Sequence, residues 1–120
     1  MNDAVPRRYA YSLRSGLITT DNDALADVFY NINLIEANLT KDFDDAAGTF
    51  FFLLTDAAAG LERFAEETGA ETGSVRAAFD RVSDAVKNAG TSADLDKAYA
   101  QLLKMTPLLQ QMADKADGEI

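Results

Sequence analysis

The chain contains no cysteine, no histidine and no tryptophan, and only two prolines in 120 residues. Without Cys, disulfides and thiolate sites drop out. Without His, so do imidazole ligation of zinc or haem and every nucleophile dyad that relies on an imidazole base. Long apolar runs are missing too: the longest, residues 50–54, has five members, far short of the roughly 18 that a membrane span requires. The start MNDAVPRRYAYSLRSGL lacks the apolar h-region of a secretory signal. A cytoplasmic protein is therefore expected, with an organelle transit peptide or a virion context as alternatives, since residues 4–20 hold three Arg and no acid. Gly-rich phosphate loops and a G-x-S-x-G elbow are also absent, and no catalytic residue, cofactor or metal site is assigned.

What is present is an ordinary globular composition, 48% hydrophobic with 26% charged residues, which excludes intrinsic disorder. A chain of this length can bury roughly two thirds of its unfolded surface in one core. Charge is uneven. Residues 1–20 carry Arg7, Arg8 and Arg14 against Asp3, whereas residues 21–120 carry eight bases against nineteen acids. An acidic body repels phosphate backbones and has no counterions to release from them, so direct nucleic-acid binding is not expected and a basic partner is the better match.

Apolar spacing in alternating threes and fours predicts four helices. The first stripe is Leu25, Val28, Ile32, Ile35 and Leu39, with Thr20 or Asp21 as cap, giving a helix over 22–40. The second runs Phe43, Ala47, Phe50, Leu54, Ala57, Leu61 and Phe64 and predicts a helix over 42–67. It passes through Gly48 and Gly60, each costing about 1 kcal/mol relative to Ala. Val75, Phe79, Val82, Val86 and Ala89 predict a third helix over 73–89, closed by Gly90 in a C-cap role. TSAD supplies a capping box with Asp in place of Glu, and Leu95, Ala98, Leu102, Met105, Leu109, Met112 and Ala116 predict a fourth helix over 92–117. Pro107 denies the Leu103 carbonyl its donor. Because the stripe continues past it, a kinked single helix is expected. The fold class is therefore all-α, an antiparallel four-helix bundle (residues 21–120) preceded by an extended N-terminal arm (residues 1–20).

The segment GTFFFLLTDAAAG places three phenylalanines in a row. At about 100° per residue, Phe50 and Phe52 point about 200° apart, so one core cannot hold both. Phe50 falls on the stripe, Phe51 on its flank and Phe52 about 170° away. On the first helix, Tyr30 and Leu34 likewise lie opposite the stripe. An exposed aromatic flanked by small residues such as Gly48 and Ala59 has the character of an interface anchor. The arm carries Tyr9, Tyr11, Leu13, Leu17 and Ile18, whose alternation suits an extended segment lying on a surface. It either folds back on the acidic body or reaches a neighbour.

These features give the expected function: a non-enzymatic helical protein-protein interaction module, an assembly or adaptor component whose partner is another protein or a second copy of the chain. The candidate partner-binding residues are Phe52, Tyr30, Leu34, Ala59, Arg7, Arg8, Tyr9, Tyr11 and Arg14. One alternative is an acidic inhibitor of the immunity type that covers a basic site on a nucleic-acid-binding enzyme. A second is a ligand- or metal-binding bundle, for which the acids of KDFDD are the nearest candidates; at a helix start, however, acids are favoured by the helix dipole alone.

Overall fold

The computed structural model describes residues 7–118, so the first six residues of the arm and the last two of the chain lie outside it. The chain is mostly helical, but it opens with a β-hairpin. Strand β1 (Tyr9–Leu13) pairs antiparallel with β2 (Gly16–Thr20), in register from Tyr9 opposite Thr20 to Leu13 opposite Gly16. Arg14 and Ser15 make the turn with negative φ, and Gly16 at φ +129° takes the left-handed region that other residues avoid. The alternation at Tyr9, Tyr11 and Leu13 does mark extended backbone, and the return strand β2 adds a partner that alternation alone does not reveal. Leu13, Ile18 and Thr20 are buried, so the hairpin contributes to the same core as the helices.

Helix α1 (Asp23–Asn38) is capped by Asn22, whose side chain accepts from the Leu25 N–H at 2.9 Å. Neither Thr20 nor Asp21 is the cap: Thr20 is buried, and its hydroxyl accepts from the Asn22 N–H at 3.0 Å. Helix α2 (Phe43–Thr68) is the longest and ends on Gly69, left-handed at φ +73°, whose N–H donates to the Ala65 carbonyl. Gly48 in α2 faces open space, whereas a Cβ on Gly60 would lie 3.1 Å from Val28 Cγ2 and 3.3 Å from the Ala24 carbonyl. At Gly60, α1 thus approaches α2 closely.

Helix α3 (Gly73–Lys87) stops before Gly90, which is not left-handed and does not close it. Gly90 instead donates its N–H to the Asp94 carboxylate at 2.9 Å, while the Asp94 N–H donates to Thr91 Oγ1 at 3.2 Å. Thr91 and Asp94 thus take the expected cap positions of α4 (Ser92–Leu103), with the Asp94 carboxylate reaching one residue past the cap.

The predicted fourth helix is two helices, α4 and α5 (Thr106–Ala116). The expectation of a kink fails because the Lys104 and Met105 N–H groups bond three residues back, tightening the turn, and α5 restarts with Pro107 in its first turn. The Thr106 hydroxyl donates to the Leu103 carbonyl at 2.8 Å, replacing the donor that proline lacks. Beyond the break Thr106, Leu109 and Ala113 are buried and Met112 is half-buried against the core, whereas Ala116 is exposed, so the stripe ends before Ala116.

Helix α1 packs along α2, α2 against α3, and α3 against α4, while the hairpin lies against α1 on one side and α5 on the other. The core residues expected from the stripes, Leu54, Leu61, Phe79, Val82, Leu102 and Leu109, are all buried. Tyr99, which lies on no expected stripe, is buried with them.

Candidate interaction surface

The candidate residues fall into two groups that meet at Tyr30. The arm residues are engaged within the chain. Arg7 donates to Asp114 Oδ1 at 2.5 Å and lies 3.4 Å from the Asp117 carboxylate, with the two side chains of this second pair only 11% and 3% exposed. Asp117 also accepts the Asp21 N–H and the Thr20 hydroxyl. The Arg7 guanidinium holds the Asp114 carboxyl below the usual carboxylate range, chiefly through their hydrogen bond. Gln110 pairs with both backbone groups of Thr19, accepting its N–H at 2.8 Å and donating to its carbonyl at 2.9 Å. One side of the hairpin is thereby fastened to α5.

The other side is fastened to α1. Arg8 pairs with Asp23 at 2.6 Å, Asn33 donates to the Ser12 carbonyl, and the Arg14 N–H donates to Glu36 Oε1 at 2.9 Å. The same Glu36 oxygen accepts the Tyr99 hydroxyl at 2.6 Å, while the Arg14 guanidinium sits 5.4 Å from the centre of the Tyr99 ring. Burial, followed by the bond to the Glu36 carboxylate, pushes the Tyr99 phenol well above its ordinary value. Tyr11 stacks at a tilt on Tyr30, ring centres 5.9 Å apart. Tyr9, Tyr11, Arg8, Asp23, Asp27, Tyr30 and Arg63 border a shallow cleft of about 460 Å³ between β1 and α1, in which the two arginines and two aspartates already pair as Arg8–Asp23 and Arg63–Asp27.

The second group lies on the outer face of α1 and α2. Phe50 is 1% exposed and meets Tyr99 edge-on, Phe51 is 37% exposed beneath the Lys87 ammonium, and Phe52 is 66% exposed. The hairpin does not reach Phe52. Tyr30 and Ala59 are exposed and Leu34 half-buried. The Arg63–Asp27 pair, at 3.0 Å, marks where this face crosses from α2 to α1. Along α2 the same face carries the exposed carboxylates Asp45, Asp56, Glu66 and Glu67 with Arg63 as its cation. Among the described residues, no three His, Cys, Asp or Glu side chains gather as a metal site.

Sequence reasoning missed the fastening residues Tyr99, Gln110, Asp114 and Asp117. Tyr99 was legible: it stands four residues after Leu95 and three before Leu102. The others are polar residues on or just after the last helix whose partners lie about 90 to 110 positions earlier, and spacing carries no signal for such pairs. No family model, no curated protein and no solved structure matches the chain.

Proposed function

We propose that the chain is a non-enzymatic interaction module: an antiparallel bundle of α1 to α4, closed on one side by the hairpin and α5, that docks another protein on the outer face of α1 and α2. The observation that carries this reading is Phe52, two thirds exposed in a chain that covers its neighbour Phe50 completely and shields Phe51 in part. Scattered apolar exposure is common. Phe52 stands apart because Gly48, one turn before it on its own face, leaves that side of the ring open, and Ala59 two turns after adds no bulk. Since Arg7, Arg8 and Arg14 are occupied within the chain, the arm's role is to build the fold, and recognition falls to Phe52, Tyr30, Leu34 and Ala59.

Affinity capture from the native source, comparing the wild type with Phe52→Asp, tests this. The variant should keep the wild-type melting temperature and lose the captured partner, with a penalty of about 2 kcal/mol or more for an anchor aromatic. A variant that melts and associates normally overturns the reading. The carboxylates around Phe52 favour one second reading, an acidic inhibitor seated on a basic site of a nucleic-acid-binding enzyme. In that case the captured protein would be such an enzyme, and its activity would fall on adding the chain.

A further inference from the structure

We infer that the outer face of α2 receives a basic amphipathic helix of a different protein, and not a second copy of this chain. This rests on the reading above that Phe52 is a docking anchor, and it adds the partner's chemistry. Phe52 lies in a heptad column with Asp45 seven residues before, Ala59 seven after and Glu66 fourteen after, and Asp56 lies one turn beyond the ring. With a rise of about 1.5 Å per residue, the carboxylates stand about 10 Å before, 6 Å after and 21 Å after Phe52. Arg63 is the cation of this face, and it is committed to Asp27 at 3.0 Å and to Glu67 at 3.9 Å. Asp45, Asp56 and Glu66 have no hydrogen-bond or ion-pair partner for their side chains among the described residues. A helix laid along α2 would therefore meet an apolar centre bounded by carboxylates free to pair with Lys or Arg. Gly48, where even an added Cβ meets open space, lets a backbone approach closely.

The same positions argue against self-association. In an antiparallel two-fold pairing through Phe52, Asp45 faces Ala59, Gly48 faces Asp56, and Arg63 faces the level of Lys41. No carboxylate of the column then directly faces a cation: the cation nearest to Asp45 is Arg63, about 6 Å further along the axis, and it is already committed to Asp27 and Glu67. A parallel pairing sets each carboxylate beside its own copy. Isologous contact requires a self-complementary patch, and this one is not.

The test uses the full chain labelled with 15N and two synthetic amphipathic peptides of about 18 residues, long enough for about five helical turns. One is built of Leu and Lys, the other of Leu and Glu. The Leu/Lys peptide should bind more weakly as salt rises, with amide shifts concentrated at Gly48, Phe52, Asp56 and Ala59. Phe52→Asp should weaken it about tenfold or more. The double variant Asp56→Lys with Glu66→Lys should reverse the preference towards the Leu/Glu peptide. Sedimentation of the chain alone should give a monomer. Shifts spread evenly over the acidic surface, or a peptide preference unmoved by the charge reversal, would overturn the inference. So would a Phe52-dependent dimer or Phe52-dependent capture of the Leu/Glu peptide, although either leaves the interaction reading standing. Loss of every Phe52 dependence overturns both.

Discussion

Tyr99 is a phenol in an apolar interior, and its hydroxyl explains how the hairpin turn is held. It donates to Glu36, which also takes the Arg14 N–H, so one carboxylate joins α4, α1 and the turn. Hydrogen bonds to a charged group are worth about 1.5 to 3 kcal/mol; Tyr99→Phe should lose about that much by chemical denaturation while leaving the core filled. The phenol's raised pKa has a sign that can be worked out. The folded chain holds this proton more tightly than the unfolded chain, so the stability it contributes is fully present below about pH 10, the ordinary tyrosine value, and is lost as pH rises beyond it. Absorbance titration of the four tyrosines should show one that ionises only with unfolding, and Tyr99→Phe should flatten the alkaline loss of stability. An equal slope in the variant would assign that loss to other groups. Phe50 and Phe52 make the complementary contrast, because the covered ring should cost about 3 to 5 kcal/mol as Phe50→Ala whereas Phe52→Asp should leave the melting temperature unchanged.

Two glycines within α2 do opposite things. Gly48 meets nothing, so Gly48→Ala should stabilise the chain by about 0.5 to 1 kcal/mol through helix propensity. Gly60 lies where α1 and α2 press together, and Gly60→Leu should destabilise by about 1 to 3 kcal/mol, because Val28 and the Ala24 carbonyl leave no room. Thermal melts of the two variants should therefore move in opposite directions. The sequence assigned both glycines the same propensity cost, since periodicity locates a residue on a face without saying how near the next backbone comes. The helices themselves were legible because each buries one stripe, and the core list followed from those stripes. The outward position of Phe52 was legible by the same arithmetic. The return strand β2 was not, because Arg14-Ser15-Gly16 is no strong hairpin signal and only Gly16's positive φ makes the turn possible. The break at residues 104 and 105 was missed for a local reason: the Thr106 hydroxyl satisfies the carbonyl that Pro107 abandons, so a restart costs less than the proline alone suggests.

Across the whole molecule the hairpin acts as a clasp between α1 and α5, and its strength lies at the Arg7 end. Strands β1 and β2 bring Leu13 and Ile18 into the core that Leu109 and Ala113 of α5 also join, and Gln110, Asp114 and Asp117 add polar fastenings between them. The Arg7–Asp117 pair is almost wholly buried, and removing one partner of such a pair leaves a charge without its compensation, at a cost on the order of 3 kcal/mol. The Arg8–Asp23 pair is exposed on both sides and should be worth little. Arg7→Ala should accordingly raise amide exchange in β1, β2 and α5 well before it touches α2 and α3, whereas Arg8→Ala should leave exchange unchanged. Acid should reproduce part of the effect. Asp114 is held below the usual carboxylate range, so its contribution is present above about pH 4 and is lost as pH falls through its depressed native value. Hydrogen exchange followed from pH 6 down to about pH 3 should show α5 and the hairpin loosening first in the wild type, with a smaller pH dependence in Arg7→Ala. If α5 instead opens together with α2 and α3 in both proteins, the clasp and the helices are one cooperative unit and Arg7 holds nothing that the core does not already hold.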